Sequence, residues 1–193
     1  MNRLAREFGL CGIIVSSLFS CKDESPNIPE GINIPDENFK SYLIGESAIN
    51  TNGNDVIEVS EAEAYEGSLL ISNMEIASLE GIQYFPNIRS LQAFRNNLTS
   101  VDLSANTMLL QVLLETNELE TLDVSMLPLL TDLKAHSNQL TSVNMANGKN
   151  ENFTRVEFQG NPDLTCIQVD NLEAPSSGWL KDNEAGYSTD CTN

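Results

Sequence analysis

The chain holds one histidine, His136, and four cysteines, Cys11, Cys21, Cys166 and Cys191. These five side chains are the first places to look for nucleophilic or metal chemistry. A nucleophilic site needs a hydroxyl or thiol in hydrogen-bond reach of a base, with a third group orienting that base. His136 adjoins Ser137, but neighbouring strand residues point to opposite faces unless the chain turns between them. Glu115 stands one repeat period earlier, so a surface ion pair with His136 is the expected arrangement. No glycine-rich phosphate loop and no His/Cys cluster with metal-ligand spacing is present. The chain is therefore expected not to be an enzyme and to use no cofactor. Oxygen donors gather once, in residues 50–61 (NTNGNDVIEVSE), where Asn50, Asn52 and Asn54 alternate and Glu61 closes the run. Calcium takes six to eight oxygens, usually with several carboxylates among them. Three amides in the place of acids leave this loop short of charge, so it is expected to hold calcium weakly or not at all.

Charge narrows the partners. Ten Lys and Arg face 28 Asp and Glu, a formal net charge of -18. An acidic surface repels phosphate backbones and anionic lipid, which argues against nucleic acid as a partner. The N-terminus reads as a targeting segment: Arg3 and Arg6 precede an apolar run, FGLCGIIVSSLF, too short to span a bilayer as a helix. Residues 1–20 are read as a signal peptide. Residues 21–33, rich in Pro, Gly and acids, are read as a flexible tether.

The strongest signal is self-similarity. Residues 88–108, 109–129 and 130–150 align without a gap at a period of 21. Position 4 of the unit holds Leu91, Val112 and Leu133; position 6 holds Ala93, Leu114 and Ala135; position 11 holds Leu98, Leu119 and Leu140. Position 9 holds Asn96, Asn117 and Asn138. Degenerate units flank these, with Leu69, Ile71, Ile76 and Leu79 upstream and Val156, Phe158 and Asn161 downstream. Alternation at positions 3 to 7 predicts a short strand with one face inward. Stacked units align these strands into a parallel sheet about 4.8 Å apart. The Asn turns the chain, and its amide can satisfy backbone groups left over in the turn. So short a unit leaves room only for irregular or short extended segments behind the strand.

The spacing L-x-x-L-x-L-x-x-N-x-L is that of the leucine-rich repeat, and Leu79-Glu80-Gly81-Ile82 with Pro86-Asn87-Ile88 resembles internalin-type repeats. The expected fold is an α/β solenoid, mainly β: about five 21-residue coils over residues 66–170, with the parallel sheet on the concave face. Both ends of such a stack need caps. Residues 34–65 are read as a helical N-terminal cap, with Asp36 as the N-cap of a helix running to about Ser47 and Phe39, Tyr42 and Leu43 on one face. A second short helix is expected from Ser60 to Tyr65. The loop between them resembles an EF-hand, with Asn50, Asn52, Asn54 and Glu61 as its ligand positions. Residues 171–193 are read as a C-terminal cap in which Leu172, Trp179 and Tyr187 cover the last coil.

Leu18-Phe19-Ser20-Cys21 resembles a lipobox, which implies that Cys21 is acylated and becomes the mature N-terminus. Lys22-Asp23-Glu24 behind it resembles the surface-export signal of Bacteroidota lipoproteins. Ile34-Pro35-Asp36-Glu37-Asn38-Phe39-Lys40 and Asn161-Pro162-Asp163-Leu164-Thr165-Cys166 also resemble stretches of exported repeat proteins from that phylum. The resemblance implies a lipid-anchored protein of the outer membrane or cell surface, a membrane partner through its lipid only, and a monomer. Cys11 leaves with the signal and Cys21 takes the lipid, so Cys166 and Cys191 remain as an even pair in an exported chain, which predicts a disulfide.

Function must then come from a surface. Positions 3, 5, 7 and 8 of each coil face outward on the concave sheet. Gln92, Phe94, Arg95, Leu113, Glu115, Lys134, His136, Arg155 and Glu157 are the candidate ligand-binding residues there. Phe94 and Leu113 are large apolar residues on adjacent coils, and Arg95, Lys134 and Arg155 bring three bases to one face, a composition found at binding hot spots. The expected function is recognition of a protein, or adhesion. The alternatives are glycan binding, or a structural surface lipoprotein without a specific ligand.

Overall fold

A computed structural model describes residues 31–191. Cys21, Lys22-Asp23-Glu24 and the signal segment lie outside those residues. The first helix of the described residues is α1 (Glu37–Gly45). Asp36 caps it as the sequence predicts: its Oδ1 accepts the backbone N–H groups of Asn38 and Phe39, each at 3.0 Å. Its Oδ2 does a second job, accepting the N–H groups of Ala77 at 2.8 Å and Ser78 at 3.2 Å. One carboxylate thus ties the cap helix to the first coil. Burial would raise its pKa, but these four N–H donors outweigh that and hold it below the usual carboxylate value. Phe39 and Leu43 are fully buried on the helix's inner face, and Tyr42 packs against the same core. A second helix, α2 (Val59–Ala64), follows the acid- and amide-rich loop, closed by a capping box between Glu58 and Glu61.

Ten short strands then build the stacked coils. On one side lie β1 (Ser68–Leu70), β2 (Ser90–Gln92), β3 (Gln111–Leu113), β5 (Asp132–Lys134), β7 (Arg155–Glu157) and β9 (Trp179–Leu180), hydrogen-bonded in that order into a parallel six-stranded sheet. Behind it, β4 (Thr121–Asp123), β6 (Ser142–Asn144), β8 (Cys166–Gln168) and β10 (Gly186–Ser188) form a parallel four-stranded sheet. The register follows the repeat: Leu91 pairs with Val112, Val112 with Leu133, and Leu133 with Val156. Those four side chains point into the core and are fully buried. The expected solenoid of stacked coils is therefore present. It has six front strands where the sequence supports about five coils. Trp179 takes the inward position of a sixth coil, pairing with Val156, inside the segment read as a cap.

The recurring Asn closes each turn. Asn117 Nδ2 donates to Leu114 O in its own coil and to Ala93 O in the preceding one, both at 3.0 Å, while its Oδ1 accepts Leu98 N–H at 3.1 Å. Asn138 and Asn161 repeat the pattern one and two coils on. These side chains are buried, and each replaces water for backbone groups that the turn leaves without partners.

The two ends differ. At the first strand, Tyr42 Oη accepts Leu70 N–H at 3.0 Å and Tyr65 Oη donates to Ser68 O at 2.9 Å. At the other end a disulfide joins Cys166 of β8 to Cys191, with Cα atoms 5.9 Å apart, as the sequence predicts. Trp179 stacks edge-on with Phe153 at 5.8 Å and with Tyr187 at 6.0 Å. Leu172 departs from expectation. It is 63% exposed and covers nothing in the core.

Candidate functional site

The outward face of the six-stranded sheet is built by the repeat itself. Position 5 runs Leu70, Gln92, Leu113, Lys134, Glu157 and Leu180 across neighbouring strands. Position 3 runs Ser68, Ser90, Gln111, Asp132 and Arg155. A shared register brings side chains at equal positions within reach of one another, and the polar ones are linked. Gln111 Oε1 accepts from Ser90 Oγ at 3.0 Å and from Gln92 Nε2 at 3.3 Å. Gln111 Nε2 donates to Asp132 Oδ2 at 3.0 Å. Arg155 Nη1 lies 3.8 Å from that same oxygen, and Lys134 Nζ lies 3.7 Å from Glu157 Oε1. Two of the three bases expected as free recognition groups are thus loosely paired within the face. Arg95 is exposed and has no ion-pair partner among the described residues.

Phe94 and Leu113 are half-buried, yet neither belongs to the core or to the apolar residues packed against it. They are therefore apolar groups of the surface. Leu70 and Leu180 extend the same face at its two ends, 52% and 44% exposed. Sequence reasoning missed both because the first and sixth coils are degenerate; their position 5, counted from the inward Leu69 and Trp179, was the signal that could have found them.

The expected pair between His136 and Glu115 does not form. His136 Nδ1 meets Ser137 Oγ at 3.2 Å instead. The contact between these neighbours is possible because the chain turns: Ser137 has φ 58°. Asn73, Arg95, Thr116 and Gly160 hold the same left-handed conformation at the same place in their coils, with φ between 55° and 72°. The strain at Ser137 therefore belongs to the coil's turn and not to a nucleophile. Among the described residues no carboxylate is in hydrogen-bond or ion-pair contact with the His136 ring. Glu115 Oε2, Asp132 Oδ1 and Gln159 Oε1 are shielded and without hydrogen-bond partners.

The loop at residues 50–61 uses its oxygens internally. Asn50, Asn52 and Asn54 each accept a backbone N–H through Oδ1, from Gly53, Asn54 and Val56. The amides of Asn52 and Asn54 donate to Glu58 at 2.9 and 2.8 Å. Glu61 Oε1 accepts from Thr51 N–H, Thr51 Oγ1 and Asn52 N–H. Burial pushes the Glu61 pKa up, but hydrogen bonds from Glu58, Thr51 and Asn52 prevail and hold it at about 2. The four positions an EF-hand would aim at an ion are turned to loop closure, so this donor set does not fit calcium without rearrangement.

Recesses of about 450 and 260 Å³ open away from the long sheet, where Leu79, Val101 and Asp102 line the first and Asp102, Asp123 and Met126 the second. Neither recess is lined by the candidate residues of the long sheet.

No protein-family model matches the chain, and no curated protein matches it. Among solved structures it is similar to an internalin, inlF, from Listeria monocytogenes: 19% identity, TM-score 0.52, covering 78% of this chain and 56% of that one. It is also similar to the functional domain of InlJ from Listeria monocytogenes, at 26% identity and TM-score 0.48, covering 70% of this chain and 36% of that one. The chain thus spans about a third to a half of the length of these neighbours. The first likeness establishes the internalin-type repeat fold.

Proposed function

We propose that this protein is a monomeric, lipid-anchored binding module of the outer membrane or cell surface that captures a protein ligand on the concave face of its long sheet. The observation that carries the reading is the composition of that face. Phe94 and Leu113 are apolar and outside the core, and Arg95 beside them has no ion-pair partner among the described residues. A surface that sets an aromatic and an arginine side by side among polar groups matches the composition of binding hot spots. The scaffold supports it, since stacked coils hold these side chains on a rigid sheet whose every strand is bonded to its neighbours.

Anchoring is the second part of the proposal. It rests on Cys21 directly behind the apolar run, with the tether between lipid and fold. A single acyl chain binds membranes only marginally, so stable anchoring requires more than one chain on Cys21.

Photo-crosslinking in intact cells tests the recognition half. A photoreactive residue at Gln92, on the long sheet, should yield adducts sensitive to protease. The same residue at Asp123, on the rear sheet, should not. Adducts from Asp123 alone would move the site to the rear of the solenoid, and protease-resistant carbohydrate adducts from Gln92 would make the ligand a glycan.

A further inference from the structure

Leu98-Thr99-Ser100-Val101-Asp102-Leu103 is nearly the same sequence as Leu140-Thr141-Ser142-Val143-Asn144-Met145, and the two stand at the same phase of the repeat. The second contains β6, an inner strand of the rear sheet with β4 on one side and β8 on the other. The first pairs with nothing. The rear sheet ends at β4, one coil later. Among the described residues, no backbone N–H or C=O of Thr99–Asp102 is hydrogen-bonded. A segment whose sequence forms a strand elsewhere in the same molecule is here left open.

The N-terminal cap accounts for this. In the preceding coil the corresponding stretch is Ala77–Glu80, and its N–H groups are already taken. Asp36 accepts those of Ala77 and Ser78. Ser78 Oγ accepts that of Glu80 at 3.1 Å, and Gln83 Oε1 accepts that of Gly81 at 2.9 Å. The chain then winds into a short 3-10 helix, Ile82–Tyr84. The neighbour that would have continued the sheet is thus diverted. The recess of about 450 Å³ lies where the missing pairing would be, with Leu79, Glu80 and Ile82 on one side and Ser100, Val101 and Asp102 on the other.

Its lining says what can fill it. Unpaired main chain is matched by another main chain, which brings N–H and C=O groups at about 3.3 Å per residue. Leu79 and Ile82 are buried and Val101 half-buried, so the floor is apolar and can seat an apolar side chain. Glu80 and Asp102 are exposed on the rim, and no basic side chain lines the recess. Hydrogen bonds from Ser104 hold the Asp102 carboxyl below its usual pKa, so it stays charged. The volume falls within the roughly 300–1,000 Å³ of ligand sites. A second copy of this chain, at a net charge of -18, is repelled over long range, whereas a basic segment is attracted.

We propose that this recess takes up an extended segment of a partner protein, which adds as a strand along Thr99–Asp102 and carries an apolar residue flanked by lysine or arginine. The site is separate from the concave face. Asp123 does not line it, so the two surfaces are tested apart.

The test uses three pentapeptides: acetyl-Ser-Lys-Val-Lys-Ser-amide, the same peptide N-methylated at its three central residues, and acetyl-Ser-Glu-Val-Glu-Ser-amide. Each is titrated into the isotope-labelled chain, with amide shifts and hydrogen exchange followed by NMR. The Lys peptide should shift amides of Ser78–Gln83 and Thr99–Asp102 and slow exchange in Thr99–Asp102 at least tenfold at saturation. The N-methylated and Glu peptides should each bind at least tenfold more weakly. Glu80→Gln with Asp102→Asn keeps the hydrogen-bonding oxygens and removes the charge. It should bring the Lys and Glu peptides within threefold of one another while the amide spectrum shows the fold intact. Equal binding of the N-methylated peptide would overturn strand addition, and equal or tighter binding of the Glu peptide would overturn the basic partner. Shifts confined to the long sheet, or none at millimolar peptide, would reject the recess as a protein site, and slowed exchange with cellohexaose alone would make its ligand a glycan. Slow exchange of Thr99–Asp102 without any peptide would also overturn the proposal. It would assign the recess to the chain itself if independent of protein concentration, and to a second copy if not.

Discussion

Asn117 shows how much of this fold hangs on single side chains. It bonds three backbone groups in two coils, and all of them are shielded from water. Replacing it with Ala leaves Leu98 N–H unpaired, at about 1–3 kcal/mol, and removes one of the two amide donors that Ala93 O and Leu114 O share with Asn96 and Asn138, at about 0.5–1.5 kcal/mol each. Asn117→Ala should therefore lower unfolding stability by about 3 kcal/mol or more in a denaturant titration. Asn97→Ala, an exposed neighbour, should change it by no more than about 0.5 kcal/mol. Equal effects would mean that the Asn ladder does not support the turns. This role was legible in the sequence because Asn recurs at one phase of the period. The second grip of Asp36 was not. Its partners, Ala77 and Ser78, are 41 and 42 residues away and donate through backbone, which carries no side-chain signal. The arrangement at His136 was also hidden, because the register gives which residues are neighbours but not which rotamer each chooses.

At the level of elements, the helices and the three regular coils follow from caps and periodicity, while the ends do not. The sixth coil escaped notice because Trp179 stands where other coils carry Leu or Val, and a loop of variable length precedes it. The pairing of Cys166 with Cys191 pins this coil to the rear sheet. Closing a loop of 25 residues contributes about 3–4 kcal/mol in the chain-entropy model. Reduction should lower stability by about that amount, measured by denaturant unfolding with and without reductant, and Trp179 fluorescence should report the loss early in the transition. No change on reduction would show that the last coil is held by packing alone. The loop at residues 50–61 makes a different forecast. Its Asn and Glu oxygens already accept the loop's own N–H groups, so a calcium ion must compete with every one of them. Calorimetry should give a Kd weaker than about 10 μM, the weak end of the sensor range. Tighter binding would mean that the loop reorganises around the ion and that its internal bonds are a substitute for it.

On the proposed function, the whole molecule joins an anchor, a spacer and a recognition surface. The anchor belongs to residues before the described fold and is tested apart from it: Cys21→Ala should move the protein from the membrane to the soluble fraction on cell fractionation, and retention in the membrane would exclude the lipid. The surface is where sequence and structure meet most closely. Gln92, Phe94, Arg95, Leu113, Glu115, Lys134, His136, Arg155 and Glu157 were found from the period alone, because a register of one residue per strand fixes which side chains face outward. What the period could not reveal is how they share bonds: among the described residues Lys134 and Arg155 have ion-pair partners and Arg95 has none. The central claim is that binding happens on this face. Its most direct test is calorimetry of the captured ligand against the double substitution Phe94→Ala with Arg95→Ala. Neither side chain is in the core, so circular dichroism should be unchanged, and affinity should fall at least tenfold, about 1.4 kcal/mol. Full affinity in a folded double mutant would contradict the account and place the ligand elsewhere on the solenoid.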